Sequence, residues 1–245
     1  MIRKHDFNSR WWGSDVGIVA DDAFFDLRAD ERARALAPWA WVEYRAPLGA
    51  MPDDVGDGAG FGGARAARVA RTGFACVDVQ ERFRIGLAKL EATPSVERLE
   101  ARFADEEAFS VPVSALQDFR HERFLAVPGA TSERVNERYA LWSAELLAAS
   151  PDTCLEVREG GEPQGWFLGR ATQGGLELTL AMLHREARIT GHHLYHRALL
   201  AYRDRGVRVG FAGFSAANTA VHNVYASLGA RFQAPEACHL WWPAH

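Results

Sequence analysis

From Asp152 onward, apolar and polar positions follow each other in a regular order. Residues 154–172, CLEVREGGEPQGWFLGRAT, alternate on both sides of GGEP at 160–163, which predicts a β-hairpin closed by a glycine-rich turn. LELTLAML (176–183) alternates again and predicts a third strand. HHLYHRALLAYRDRG (192–206) shifts to helical spacing and ends at Gly206, and VRVGFAGFS (207–215) returns to a strand. ANTAVHNVYASLG (217–229) predicts a short glycine-terminated helix, and RFQAPEACHLWW (231–242) a strand that closes the sheet. This order, β-β-β-α-β-α-β, predicts an α/β (α+β) fold with a mixed central sheet and flanking helices.

The first half is less regular. SDVGIVA predicts a strand, and residues 26–42 a helix capped by Asp26 and ended or bent by Pro38. GDGAGFGG (56–63) reads as a surface loop. A dinucleotide fingerprint there lacks the required apolar strand, because PLGAMPDDV brings two prolines and two aspartates before it. Residues 66–88 predict a short helix, Gly73 as its C-cap and strands from Phe74, the end of a small α/β unit. Beyond a charged stretch come a helical VSALQDFR (113–120), a loop, and a helix NERYALWSAELLAAS ending before Pro151. A soft boundary near residue 100 divides an N-terminal α/β region (1–100) from a second domain (101–245).

Composition narrows the class. The chain has 245 residues, 48% hydrophobic and 24% charged with a net charge of −4, which points to a globular protein and away from nucleic-acid binding. Cys76, Cys154 and Cys238 form no CxxC pair and are expected to be reduced thiols. With no secretory h-region and no run of eighteen apolar residues, the expectation is a cytoplasmic protein with no membrane partner.

Candidate chemistry concentrates in HREARITGHHLYHRAL (184–199). His192 and His196 stand one helical turn apart, as metal ligands do, but the helix lacks the HExxH glutamate and nothing selects a third ligand. Arg188 and Gly191 instead sit where a strand feeds a helix N-terminus, whose free N–H groups and partial positive charge suit a pyrophosphate. Asn218 is a natural N-cap, and Tyr225 lies at helical spacing from Val221 and Leu228.

Together with the RxxG turn, this C-terminal order and the N-x6-Y pair followed by LGARF resemble the GCN5-related N-acetyltransferase (GNAT) family. The usual loop is Q/R-x-x-G-x-G/A, and here it reads Arg188-Ile-Thr-Gly191-His-His193, departing at the last position. FNSRWWGSDV, ALAPWAWV, RTGFACVDV, ERFLAVP and ERYALW extend the resemblance to the dTDP-fucosamine acetyltransferases. The resemblance implies acetyl-CoA, or another acyl-CoA, lying across a splayed sheet. Ala181, Met182 and Leu183 would offer main-chain groups to the pantetheine and thioester, while Arg188, Ile189, Thr190, Gly191, His192 and His193 would hold the pyrophosphate. Asn218 would bind the cofactor arm, and Tyr225 would protonate the leaving thiolate. On the acceptor side, Arg123, Phe124, Arg138, Tyr139 and Trp142 would meet a dTDP-amino sugar, in an enzyme that is often a homodimer. Glu177, His184 and His222 are candidates for the base by residue type alone. The alternatives are a different amine acceptor, or a non-catalytic acyl-CoA-binding module.

Overall fold

The computed structural model describes residues 1–48 and 63–243. The elements in chain order are β1 (Ile2–Lys4), α1 (Asp6–Trp12), β2 (Val16–Val19), α2 (Ala29–Leu36), β3 (Trp41–Pro47), α3 (Gly63–Ala70), β4 (Ala75–Gly86), α4 (Pro94–Glu97) and β5 (Glu100–Phe103). They continue with α5 (Ser132–Ala149), β6 (Cys154–Glu159), β7 (Glu162–Thr172), β8 (Gly175–Leu183), α6 (Gly191–Asp204), β9 (Val209–Ser215), α7 (Thr219–Ser227) and β10 (Arg231–Trp241). Ten strands make one mixed sheet in the order β1-β2-β3-β10-β4-β9-β8-β7-β6-β5.

Each face of that sheet is apolar at alternate positions. Phe83 and Ile85 of β4 pack with Leu194, Tyr195 and Leu199 of α6 and with Tyr225 of α7. Trp166 and Leu168 of β7 point to the opposite face, where Leu146 of α5 covers them. The N-terminal strands divide in the same way: Val42 and Tyr44 join Phe24, Phe25 and Phe74, whereas Trp41 joins Trp11, Phe124 and Val135.

The predicted hairpin is present, with Gly160 and Gly161 at φ +59° and +84°, a backbone region where a Cβ is costly. Other expectations change. Strand β10 does not finish an edge but lies between β3 and β4, antiparallel to both, so the sheet runs unbroken across residue 100 and the expected boundary falls at the first residue of β5. Helix α2 begins after Arg28, since Asp26 closes a preceding 3-10 turn. The helix expected at 113–120 shrinks to a 3-10 turn at Val113–Ala115, because Leu116 bridges His184 and Ala115 accepts from the Arg185 N–H. Of the glycine loop read at 56–63, residues 56–62 lie outside the described residues and Gly63 begins α3. No described helix is long and apolar enough to cross a membrane.

Candidate active site

The central feature is a gap in the sheet. β8 and β9 run parallel but pair only at Leu176↔Gly210 and Glu177↔Phe211, after which they part. A bulge accompanies the parting: Gly169 pairs with Leu178 and Leu168 with Leu180, leaving Thr179 as an extra residue. The bulge changes which way the strand faces. Leu176 and Leu178 pack against the α6 face, but Leu180 and Met182 pack against the α5 face, while Ala181 and Leu183 turn toward α6. From 178 to 183 on β8 and from 212 to 215 on β9, the sides facing the gap have no strand partner among the described residues. Main-chain groups so placed need an outside partner, and an amide-bearing chain can supply one. Ala181, Met182 and Leu183 lie on this unpaired edge, the Met182 side chain buried with its sulfur 3.9 Å from the Ser143 hydroxyl.

Beyond β8 the chain is held by Gln164, a buried residue of β7. Its main-chain oxygen accepts from His184 N–H at 2.9 Å and its Oε1 from Arg188 N–H at 2.8 Å. The Arg188 side chain is exposed and has no ion pair among the described residues. Ile189 is buried in the core, so only its backbone is available to a ligand. Gly191 begins α6 with an ordinary negative φ, and a Cβ there would meet nothing within 4 Å. Among the described residues nothing requires glycine at this position; the open space in front of it suits the close approach of a phosphate.

His193 answers the irregularity of the loop. It folds back over the helix start, its Nδ1 lying 3.0 Å from the Thr190 hydroxyl and 3.4 Å from the Thr190 N–H. Histidine thus takes the role that Glu or Gln has in a capping box, and it occupies one donor that a pyrophosphate would seek. His192 and His196 ring centroids are 5.6 Å apart, but His196 is buried with Nε2 2.8 Å from the Glu91 carbonyl. Burial, then the neighbouring His196 and His193, hold His192 below its ordinary pKa. No group of three or more His, Cys, Asp or Glu that could hold a metal occurs among the described residues.

Tyr225 sits in an aromatic nest. Its ring centroid is 3.9 Å from Phe83, 5.0 Å from Tyr195 and 5.9 Å from Phe214. Burial drives its phenol well above the usual pKa, with Tyr195 and Tyr202 adding to the effect, so it stays protonated. The hydroxyl is not among the buried polar atoms left without a partner, which leaves it open to ligand or solvent. Asn218 caps α7 by accepting from Val221 N–H at 3.2 Å, a use that leaves its amide group free.

The five residues expected on the acceptor side lie on the α5 face and point mostly inward. Phe124 is fully buried beside Trp11 and Trp41. Arg123 bonds the Glu43 carboxylate at 2.9 Å and lies 3.4 Å from that of Glu122. Arg138, 5% exposed, donates to Asn8 at 3.1 Å and packs over Phe124 and Trp142. Tyr139 donates to Glu122 at 2.5 Å and stacks on Phe119, and Trp142 belongs to the same apolar layer. Burial would raise the Glu43 carboxyl, but the Arg123 and Arg45 guanidiniums outweigh it and hold it down at about 2. Both arginines expected to hold a diphosphate are thus committed inside the protein. Of the candidate bases, Glu177 pairs with Arg170 at the closed end of the gap, His184 accepts from Glu186 N–H, and His222 bonds Glu81 at 2.6 Å beside Tyr225. Gln164 and Glu43 escaped the sequence reading; their only signal is a polar residue inside an apolar strand.

A parallel pair that opens at a bulge, with a helix N-terminus at its mouth, decides the comparison. The fold is that of the GCN5-related N-acetyltransferases. One such protein, from Sphaerobacter thermophilus, superposes with a TM-score of 0.51 over 84% of this chain at 19% identity, and this chain spans only 61% of it. Another, from Kribbella flavida, gives 0.53 over 94% of this chain and 82% of its own at 14% identity. A tandem GNAT protein from the clavulanic acid pathway gives 0.53 over 95% of this chain and 77% of its own at 16% identity. No family model matches the chain, and no curated protein does. At these identities the GNAT likeness is one of architecture.

Proposed function

We propose that the chain is an acyl-CoA-dependent N-acyltransferase, with acetyl-CoA as the donor and a primary amine as the acceptor. The observation that carries this reading is the open gap between β8 and β9, with Gly191 and an unpaired Arg188 at its mouth. An acyl-CoA has the groups such a gap needs: a chain of amides for the unpaired strand edges and a pyrophosphate for the start of α6. When bound it supplies the activated acyl group.

The chain's own residues do the rest. N–H groups along Ala181–Leu183 polarise the thioester carbonyl without reorganising. Tyr225 donates a hydrogen bond, and then its proton, toward the departing sulfur. Its raised pKa does not prevent this, since the thiolate leaves into the same dry aromatic nest and is raised as well. Cys154 and Cys238 are buried, and burial pushes both thiols up to about 12, so neither serves as an acyl carrier; Cys76 is exposed but stands outside the stretch of β4 that pairs with β9, and we read the transfer as direct. Our finer reading of the acceptor is the amine of a dTDP-linked amino sugar. It rests on the family resemblance, and groups other than Arg123 and Arg138 must meet the diphosphate.

Calorimetry with acetyl-CoA, followed by thiol release with dTDP-fucosamine, glucosamine and a lysine peptide, tests both levels. The expected result is micromolar binding and turnover on the dTDP sugar. Turnover on another amine overturns the finer reading. Binding without turnover on any amine leaves the acyl-CoA-binding module, and absence of binding removes the whole proposal.

A further inference from the structure

Attack by an amine leaves one proton to be removed, and Tyr225 serves the other side of the reaction. The sheet separates the two sides. Phe83 and Ile85 of β4 face α6 and α7, so the alternate residues Asp78, Gln80 and Arg82 belong to the α5 face. Ser215 is paired with Gln80 and shares that face. It is also the last residue of β9, at the open end of the gap and, counting from Glu177↔Phe211 past the bulge, level with Met182.

Asp78 is bound to this edge. Its Oδ1 accepts from the Ser215 hydroxyl at 2.7 Å, and Ala217 N–H donates to the same hydroxyl at 3.3 Å, which directs its proton to Asp78. The other oxygen, Oδ2, is buried and has no partner among the described residues. A carboxylate oxygen shielded from water with nothing to accept from is costly, and an ammonium or amine N–H removes that cost. Neighbouring charges do not do so. Arg45 and Arg123 both bond Glu43, and Cys238, paired with Asp78 on β10, carries a protonated thiol.

The alternatives are placed wrongly. The Glu81–His222 pair is on the Tyr225 face, where the sulfur leaves, because Glu81 pairs with Phe214 and His222 stands one turn from Tyr225. Glu177 lies at the closed end in an ion pair with Arg170.

We infer that Asp78, oriented by Ser215, binds the acceptor amine and takes its proton. This assignment rests on the acyltransferase reading. As the C–N bond forms, the nitrogen becomes cationic and strongly acidic, so a carboxylate is basic enough to receive the proton. The C–S bond breaks, and the sulfur takes its proton from Tyr225. Solvent then removes the proton from Asp78 and restores that of Tyr225, so one amine and one thioester give one amide and one thiol.

The test uses the full chain with acetyl-CoA and n-propylamine, a probe that asks only for a primary amine. In Asp78→Asn, propylamine-dependent thiol release should fall about 100-fold, while acetyl-CoA affinity stays within about twofold. Ser215→Ala should lose about tenfold in kcat with an unchanged acetyl-CoA affinity, and Ser215→Thr should restore most of it. If Asp78→Asn does not fold, Asp78→Glu, which keeps the charge and displaces it, makes the same comparison. An Asp78 variant within about threefold of the parent overturns the assignment, as does a parent protein that binds acetyl-CoA yet releases thiol no faster with propylamine. A parent that does not bind acetyl-CoA removes the acyltransferase reading beneath it, a result calorimetry separates from the other two.

Discussion

The two faces of the sheet beside the gap solve opposite problems. On the α6 and α7 side, Phe83, Tyr195, Phe214 and Tyr225 make a nest whose own polar atoms are phenols kept neutral by burial, with the Glu81–His222 pair at its partly exposed rim. On the α5 side, Glu43, Glu122, Arg123 and Arg138 bring full charges into the interior, tied to one another, to the exposed Arg45 and to Asn8 and Tyr139. A dry face suits a leaving group whose charge must be met by a proton. A charged face costs desolvation and must satisfy itself, so the few oxygens it leaves unpaired become informative. The contrast separates residues that hold the sheet together from residues left free to meet a ligand.

The charged face offers the largest effect. Glu43→Gln takes from the buried Arg123 the nearer of its two carboxylates and should cost about 3 kcal/mol, seen as a melting temperature lower by roughly 10 °C with acetyl-CoA affinity little changed. The same carboxylate gives a pH dependence. Its folded pKa is depressed to about 2, so its stabilisation is complete above the unfolded value near 4.5 and lost as pH falls toward 2. Unfolding free energies from urea titrations at about pH 5 and about pH 2.5 should differ by roughly 2.4 kcal/mol from this group, and a difference unchanged in Glu43→Gln would break the comparison.

The dry face should respond in rate instead. Tyr225→Phe is expected to lower kcat about 100-fold with melting temperature and acetyl-CoA affinity unchanged, and undiminished turnover would remove the acid role. Gly191→Ala should leave the fold as stable as before, since a Cβ there meets nothing, yet weaken acetyl-CoA about tenfold. His193→Ala is the smallest. Freeing the Thr190 N–H should tighten acetyl-CoA by about threefold while costing about 0.5–1 kcal/mol of stability. A weaker complex would mean that the ring itself meets the phosphates.

The elements from β6 to β10 are legible in the sequence because their apolar spacing is regular and because a turn glycine follows β6, β7, α6 and α7. Thr179 is not. Leu176, Leu178, Leu180 and Met182 keep a perfect period of two, which puts all four on one face, and only the pairing with β7 reveals the inserted residue that sends them to two faces. Short elements were lost for want of length. α1 has seven residues and a His5 cap, and β5 hides in a charged stretch as a four-residue edge strand. At the site, the turn of Arg188 and Gly191 between a strand and a helix is legible because its signal is local. Arg123 and Arg138 were assigned to a ligand because arginine beside aromatics looks the same at a surface as in a buried network. Their partners Glu43 and Asn8 are remote in sequence, and residue type alone does not say which case applies.

The position of β10 bears on how the molecule is made. Strands β3 and β4 are both synthesised early, yet neither completes its hydrogen bonds until residues 231–241 arrive to lie between them. Until then the nascent chain carries two open strand edges flanked by Phe83, Tyr44 and Trp41, the kind of surface that pairs with the wrong neighbour. Closing the sheet is therefore a strand insertion at long sequence separation, which is slow, and chaperone dependence should concentrate in the interval before it.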